Sequence, residues 1–169
     1  MRRKDREITD INTIEYIIAH CDTIRIAMHD ECYPYMVTLN FGEEKVNNQY
    51  VFYCHSALEG KKIDLLKKNN KVFFEMDYNH QVILYDDLMS CTMGYSSVMG
   101  KGEVYFIEDH NDKMHALKTL MKHYHDETFP FKESMVDHTC VFKIVVSELT
   151  AKRRDNIKPN EKNFRIINL

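Results

Sequence analysis

Between Tyr50 and Asn70 the chain reads YVFYCHSALEGKKIDLLKKNN, and this stretch limits the fold more tightly than any other. Tyr50 to Cys54 are aromatic or β-branched apart from Cys54, the composition of a half-buried strand. Ser56-Ala57-Leu58-Glu59 then has the S-x-x-E form of a capping box, which starts a helix. Ile63, Leu65 and Leu66 give that helix an apolar side. Lys61 and Lys62 fall in its first turns, where the helix dipole is positive and lysine is disfavoured. Two ammonium groups beside unbonded helix N–H groups attract an anion, and His55 and Ser56 add donors at the mouth. On spacing alone two readings are open: a solvated basic helix, since Lys67, Lys68 and Lys71 continue the run, or a phosphate-binding helix start.

At 169 residues, 44% of them hydrophobic, the chain suffices for one domain with a proper core. A formal net charge of −3 exerts no global pull toward nucleic acid or an acidic membrane. No apolar run approaches the roughly 20 residues that a membrane-spanning helix needs. The N-terminal MRRKDREITD is charged with no apolar stretch behind it, unlike a secretory leader, so the cytoplasm is the expected compartment. The five cysteines, Cys21, Cys32, Cys54, Cys91 and Cys140, are widely spaced and contain no C-x-x-C. That pattern argues against a disulfide framework and a structural zinc site, and for reduced thiols.

Upstream, Thr9 or Asp10 can cap a first helix whose Ile11, Ile14, Ile17 and Ile18 recur at helical spacing. Thr23 to His29 and Tyr35 to Phe41 alternate as strands around a turn over Asp30 to Pro34. A second turn is expected over Gly42 to Asn48, where Asn47-Asn48 tolerates left-handed backbone. Downstream of the basic helix, Lys71 to Asp77 reads as a strand, residues 78–94 as a long connection, and Tyr95 to Ile107 as a long strand. Gly100 and Gly102 share one face of it, marking a bend or a close approach by backbone or ligand. Asp109 caps a second long helix with an apolar stripe of Met114, Leu117, Leu120, Met121 and Tyr124. His110, His115, His123 and His125 lie in or near it. Positions i and i+2 of a helix do not face each other, so these histidines are expected on a solvated face and not around a metal. Thr139 to Glu148 is the last strand, and from Ala151 the chain turns polar. The expected organisation is one domain over residues 1–150 and a polar tail or dimer-docking arm over 151–169. Six strands joined mainly by short turns predict a mostly antiparallel, barrel-like sheet with flanking helices.

Several motifs occur in a telling order: Met1-Arg-Arg-Lys-Asp-Arg-Glu-Ile8, Tyr33-Pro-Tyr35 before Val37-Thr-Leu-Asn-Phe41, Tyr53-Cys-His-Ser-Ala57, Glu59-Gly-Lys-Lys62, and Tyr95-Ser-Ser-Val98 before Gly100-Lys-Gly102. Over about residues 1–153 the chain thereby resembles the nitroimidazole-resistance (Nim-type) branch of the pyridoxamine 5′-phosphate oxidase-like flavoproteins. The resemblance implies a six-stranded antiparallel split β-barrel that binds FMN in a groove between the protomers of a homodimer. Carried over to this sequence, Val37, Thr38, Leu39 and Asn40 would run beside the flavin ring and ribityl chain. His55, Ser56 and Ala57 would sit near the flavin, Lys61 and Lys62 would meet its phosphate, and Ser97 and Val98 would lie close to the cofactor. The phosphate-binding reading of the helix start gains support from this. Two positions depart from the pattern: Glu31-Cys32 stands where many relatives have Asp-Gly, and Ser96 where many have Arg. The C-terminal substrate-binding segment of true pyridoxamine phosphate oxidases has no counterpart, so that activity is not expected.

The implied activity is that of a flavin-dependent oxidoreductase, in which FMN carries the redox chemistry and the protein binds, orients and tunes it. A nitro compound is the implied electron acceptor. The electron donor is unspecified, and no Gly-rich dinucleotide fingerprint is present. His55 is the candidate catalytic group. With an ordinary pKa of about 6.5 it can donate a proton or orient the acceptor, or it can simply contact cofactor or backbone. Two alternatives remain open. Related split barrels hold haem, with His55 or a histidine near the C-terminal helix then serving as axial ligand. Otherwise the chain is a non-catalytic flavin-binding sensor or storage module.

Overall fold

Period-two alternation governs most of the chain. In a computed structural model, which describes residues 3–125, 130–154 and 164–168, it produces nine strands with four α-helices. The order is β1 (Glu7–Ile8), α1 (Ile11–Ala19), β2 (Ile24–Met28), β3 (Tyr35–Leu39), β4 (Gly42–Val46), β5 (Gln49–Ser56), α2 (Lys61–Lys68), β6 (Lys71–Tyr85), β7 (Ser90–Ile107), α3 (His110–Tyr124), α4 (Glu133–Asp137), β8 (Cys140–Arg154) and β9 (Phe164–Asn168). The sheet is open and antiparallel in each pairing whose register is defined.

The count of nine replaces the expected six, because segments read as connections are strands. Gly42–Val46 pairs with Gln49–Tyr53, and only Asn47 and Asn48 form the turn, at φ 50° and 65°. Both are left-handed, as a two-residue hairpin turn requires. Glu43 and Glu44 had hidden β4 by replacing its apolar alternation. Likewise β6 continues to Tyr85 and β7 begins at Ser90, so most of residues 78–94 is strand.

The described residues gather into two compact units, and β6, β7 and β8 each contribute to both. The first holds residues 3–21, 76–98, 150–154 and 164–168. There Asp10 caps α1 by accepting from Thr13 N at 2.8 Å, and the helix buries Ile14, Ile17 and Ile18 while Ile11 stays exposed. Glu7 and Ile8 pair with Lys152 and Ala151, so residues 151–154 are the end of a strand. Phe164–Asn168 pairs with Gln81–Tyr85. Residues 155–163 and Leu169, also within the expected tail, lie outside the described residues.

In the second unit, residues 22–75, 99–125 and 130–149, the strand path is β3-β2-β6-β7-β8-β5-β4. Phe41, Phe52 and Phe74 meet edge-to-face, with centroids 5.7 and 5.3 Å apart. Each is fully buried and contributes about 1.5–3 kcal/mol. On the other face of β5, Val51 and Tyr53 pack with Ile107, Ala116, Leu117, Val136 and Val141. The centre of β5 is therefore covered on both faces and is not the half-buried strand its composition suggests. Gly100 and Gly102 serve a close approach by protein: a Cβ at Gly100 would stand 2.6 Å from the Phe74 ring, and one at Gly102 2.8 Å from Val145 O.

Asp109 caps α3, accepting from the amides of Asn111 and Asp112. Its buried face is Lys113, Ala116, Leu117 and Leu120, rotated from the expected stripe, so that Met114 is only partly buried and Tyr124 is exposed. The expected solvated histidine face is corrected at His123. Its side chain is 3% exposed, 2.5 Å from Glu43 Oε2, and its ring packs 4.4 Å from that of Phe41.

Candidate functional site

Ser56 still pairs with Cys140 in the β5–β8 ladder, so the helix does not begin there. This corrects the expected capping box: Ser56 Oγ donates to the Ala57 carbonyl at 2.7 Å and caps nothing. The N-cap is Gly60, at φ 130°, with no side-chain cap; glycine alone adopts that backbone readily. The first helical bonds run from Ile63 N and Asp64 N to Gly60 O. The amides of Lys61 and Lys62 thus open α2 with no acceptor inside the helix, and their side chains leave from the same point.

The two lysines differ. Lys61 Nζ lies 2.7 Å from Asp30 Oδ2 and 5.1 Å from the centroid of the Tyr35 ring, and the Asp30 bond raises its pKa. Sequence reasoning missed both partners, because Asp30 is remote in sequence and looked like an ordinary turn residue. That turn closes with Glu31 at φ 40° and Tyr33 N donating to Asp30 O at 2.9 Å. Lys62 is half-buried and makes no ion pair among the described residues. Partial burial, and second the Lys62 charge, hold the His55 pKa below its ordinary value. Burial pushes the neighbouring Cys54 thiol up to about 12.

The structure therefore brings Lys61, Lys62 and His55 to one locality and ties it, through Tyr35, to the start of β3. Other expected site residues are divided between faces. Val37 and Leu39 pair with Ile26 and Ile24 and share their face, whereas Thr38 and Asn40 are exposed. The Asn40 side chain hydrogen-bonds the Tyr124 hydroxyl. Alternation also turns His55 toward the face of Tyr53, and Ser56 toward that of Cys54. Ala57 is exposed. Because β3 ends the strand path, its outer edge carries backbone groups with no neighbouring strand among the described residues.

Ser97 and Val98 belong to the first unit, buried in β7 at 4% and 0% exposure. Ser97 Oγ has no hydrogen-bond partner among the described residues. The adjacent Ser96, at a position where an arginine was expected from the resemblance, accepts from Arg153 Nε at 3.1 Å. A guanidinium is therefore present beside position 96, supplied from β8. All five cysteines are free thiols, with Cys32 and Cys91 exposed. No helix among the described residues is long and apolar enough to cross a membrane.

A helix start with two unbonded amides, one uncommitted ammonium and an imidazole beside it suits an anion rich in acceptor oxygens. The family model described as pyridoxamine 5′-phosphate oxidase matches residues 10–153. Among solved structures, the chain is similar to a candidate 5-nitroimidazole antibiotic resistance protein from Bacteroides thetaiotaomicron VPI-5482. Identity is 36%, with 87% of this chain and 86% of that one covered and a TM-score of 0.78. The flavocytochrome Anf3 from Azotobacter vinelandii shares the fold at 15% identity, covering 100% of this chain and 82% of that one, with a TM-score of 0.79. A FAD and heme binding protein from Mycobacterium smegmatis does so at 12% identity, covering 97% and 84%, with a TM-score of 0.78. No protein with a curated description matches the chain.

Proposed function

Because the chain belongs to the pyridoxamine 5′-phosphate oxidase family, we propose that it binds FMN and acts as a flavin-dependent oxidoreductase on small electron acceptors, nitro compounds among them. The observation that carries this reading is the start of α2, where Lys62 has no counter-charge among the described residues and two backbone amides have no helical acceptor. A terminal phosphate satisfies all three. Lys61 contributes by sharing its ammonium with Asp30.

The edge of β3 from Val37 to Asn40, through its backbone groups, is assigned to the flavin ring and ribityl chain. His55, Ser56 and Ala57 are assigned to flank the ring. Bound FMN would supply the reversible electron transfer, with the protein binding and orienting it. Partial burial, and second the Lys62 charge, lower the His55 pKa and so favour the neutral imidazole, which has one N–H to donate and one lone pair to accept. Its assigned role is to orient the acceptor. The resemblance to a nitroimidazole-resistance protein, at 36% identity, supports a nitro group as acceptor.

We also propose a homodimeric split barrel in the cytoplasm. Met36, Ala27 and Phe73 lie in register on one face of neighbouring strands, with Met36 61% and Phe73 44% exposed. A second copy of the chain would cover this row and close a groove over β3.

The absorption spectrum of freshly purified protein tests the reading, followed by mass analysis of the released cofactor and anaerobic reoxidation by a nitroaromatic. A flavin spectrum, released FMN and faster reoxidation with the acceptor are expected. A Soret band without flavin would replace the proposal by haem binding. Bound FMN whose reoxidation ignores every acceptor tried would reduce it to a sensor or storage module.

A further inference from the structure

Asp30 and Lys61 are unequal partners. Their 2.7 Å contact joins a lysine side chain that is 56% exposed to a carboxylate that is 22% exposed. The ammonium, on its flexible four-carbon stem, is the member free to move. Backbone holds Asp30 in place. Met28 pairs with Tyr35 across the β2–β3 turn, and Tyr33 N donates to the Asp30 carbonyl at 2.9 Å. Glu31 sits at φ 40°, a left-handed conformation that a residue with a Cβ keeps only where its surroundings impose it. A turn determined this closely does not swing out to follow a lysine.

Lys61 is thus engaged by groups of the β2–β3 turn and not left for an anion. Asp30 acts on it most strongly, and Tyr35 and Glu31 add weaker attractions. The Tyr35 ring centroid is 5.1 Å from Nζ, within cation–π range. Lys62, the next residue, has no ion pair among the described residues. When Lys61 turns to a phosphate, Asp30 stays behind, partly buried, with its counter-charge withdrawn and a dianion brought to the same ammonium. Both consequences oppose binding.

We infer that Asp30 is a built-in competitor of the cofactor's phosphate for Lys61, so that the start of α2 holds flavin exchangeably instead of trapping it. The inference rests on the flavin reading above and deepens it. Lys62 and the two free amides supply the grip, and Asp30, acting through Lys61, limits it. A partly exposed ion pair suits the task. It is strong enough to park a lysine, yet weak beside the charge-assisted bonds that a phosphate offers.

The test compares FMN with riboflavin, which lacks the phosphate, in equilibrium fluorescence titrations of the full-length protein stripped of flavin. The parent should bind FMN more tightly than riboflavin. Asp30→Asn keeps the side chain's size and its fitness for a turn while removing the charge. It should tighten FMN binding about fivefold, the strength of a good partly exposed ion pair, and leave riboflavin affinity within about twofold. Asp30→Glu, which keeps the charge, should bind FMN less tightly than Asp30→Asn. In the unaltered protein the Lys61 Nζ resonance should move on adding FMN and not on adding riboflavin, a readout that needs no variant. FMN binding unchanged or weakened by Asp30→Asn, equal tightening for riboflavin, or a Lys61 signal indifferent to FMN would each overturn the inference, while a parent that still prefers FMN would keep the phosphate site. A parent that binds both flavins equally would remove the phosphate reading, and this inference with it.

Discussion

β3 and β4 terminate the same strand path and are treated in opposite ways. At β4 the polar groups are spent on one another. Glu43 meets His123 at 2.5 Å, and Glu44 accepts from the Tyr53 hydroxyl at 2.7 Å while meeting His115 at 3.1 Å. Helix α3 lies so close that a Cβ on Gly42 would stand 2.5 Å from Leu120 N. At β3, Met36 and Thr38 are exposed, and Lys62 nearby has no ion pair among the described residues. Charges that hold the fold are consumed inside it, and charges left over mark where something else must bind.

The largest effect should come from forcing the closed end apart. Gly42→Val drives a side chain into the backbone of α3, which cannot turn aside as a flexible side chain would. A loss of about 3 kcal/mol or more is expected from this overpacking, read by urea denaturation with an unchanged slope. A loss below about 1 kcal/mol would mean that α3 is free to retreat from β4. His123→Ala comes next. It removes a buried ring from Phe41 and leaves Glu43 without its partner, for a loss of about 2–3 kcal/mol. Unchanged stability would move His123 from the closed end to the open class.

At the open end the sign of the trade reverses. Lys62→Ala should leave the stability of the flavin-free protein within about 0.5 kcal/mol while weakening FMN binding roughly tenfold. Lys61→Ala should weaken it less, because Asp30 already occupies that ammonium. Equal losses from the two variants would erase the distinction between them. Removing Lys62 should also let the His55 pKa rise, since the Lys62 charge is one of the two causes that depress it. An imidazole NMR titration follows that shift directly.

Local pattern made several elements legible: α1 from Asp10 and its isoleucines, α3 from Asp109, β2 and β3 from clean alternation, and Asn47-Asn48 as a left-handed turn. Elements whose polar residues are satisfied at long range were not legible. Glu43 and Glu44 look like loop residues until α3 supplies their histidines, more than 70 positions away in the chain. The S-x-x-E at Ser56 failed because a cap must leave the ladder, and Ser56 is held in it by Cys140. At the site, the lysines at the helix start could be read from spacing. That Asp30 engages one and not the other could not, because a turn residue gives no local sign of a distant ammonium.

The smallest effect expected concerns acid. His115, and second Tyr53, hold the Glu44 carboxyl below the ordinary glutamate range. A carboxyl with a depressed folded-state pKa adds stability that is complete above its unfolded value, about 4.3. That contribution disappears as pH falls through the folded value, below which both states are protonated. Glu44 is partly exposed, with a side-chain exposure of 34%, so solvent screening keeps the contribution below about 1 kcal/mol. Glu44→Gln should therefore be less stable than the parent at pH 6 and converge with it at the acid end. Lys62→Ala, which touches no carboxyl depressed by that lysine, should run parallel to the parent through the same window. Convergence of the lysine variant instead would show a carboxylate already neutralising Lys62, and the contrast between the two ends of the sheet would collapse at the residue that defines it.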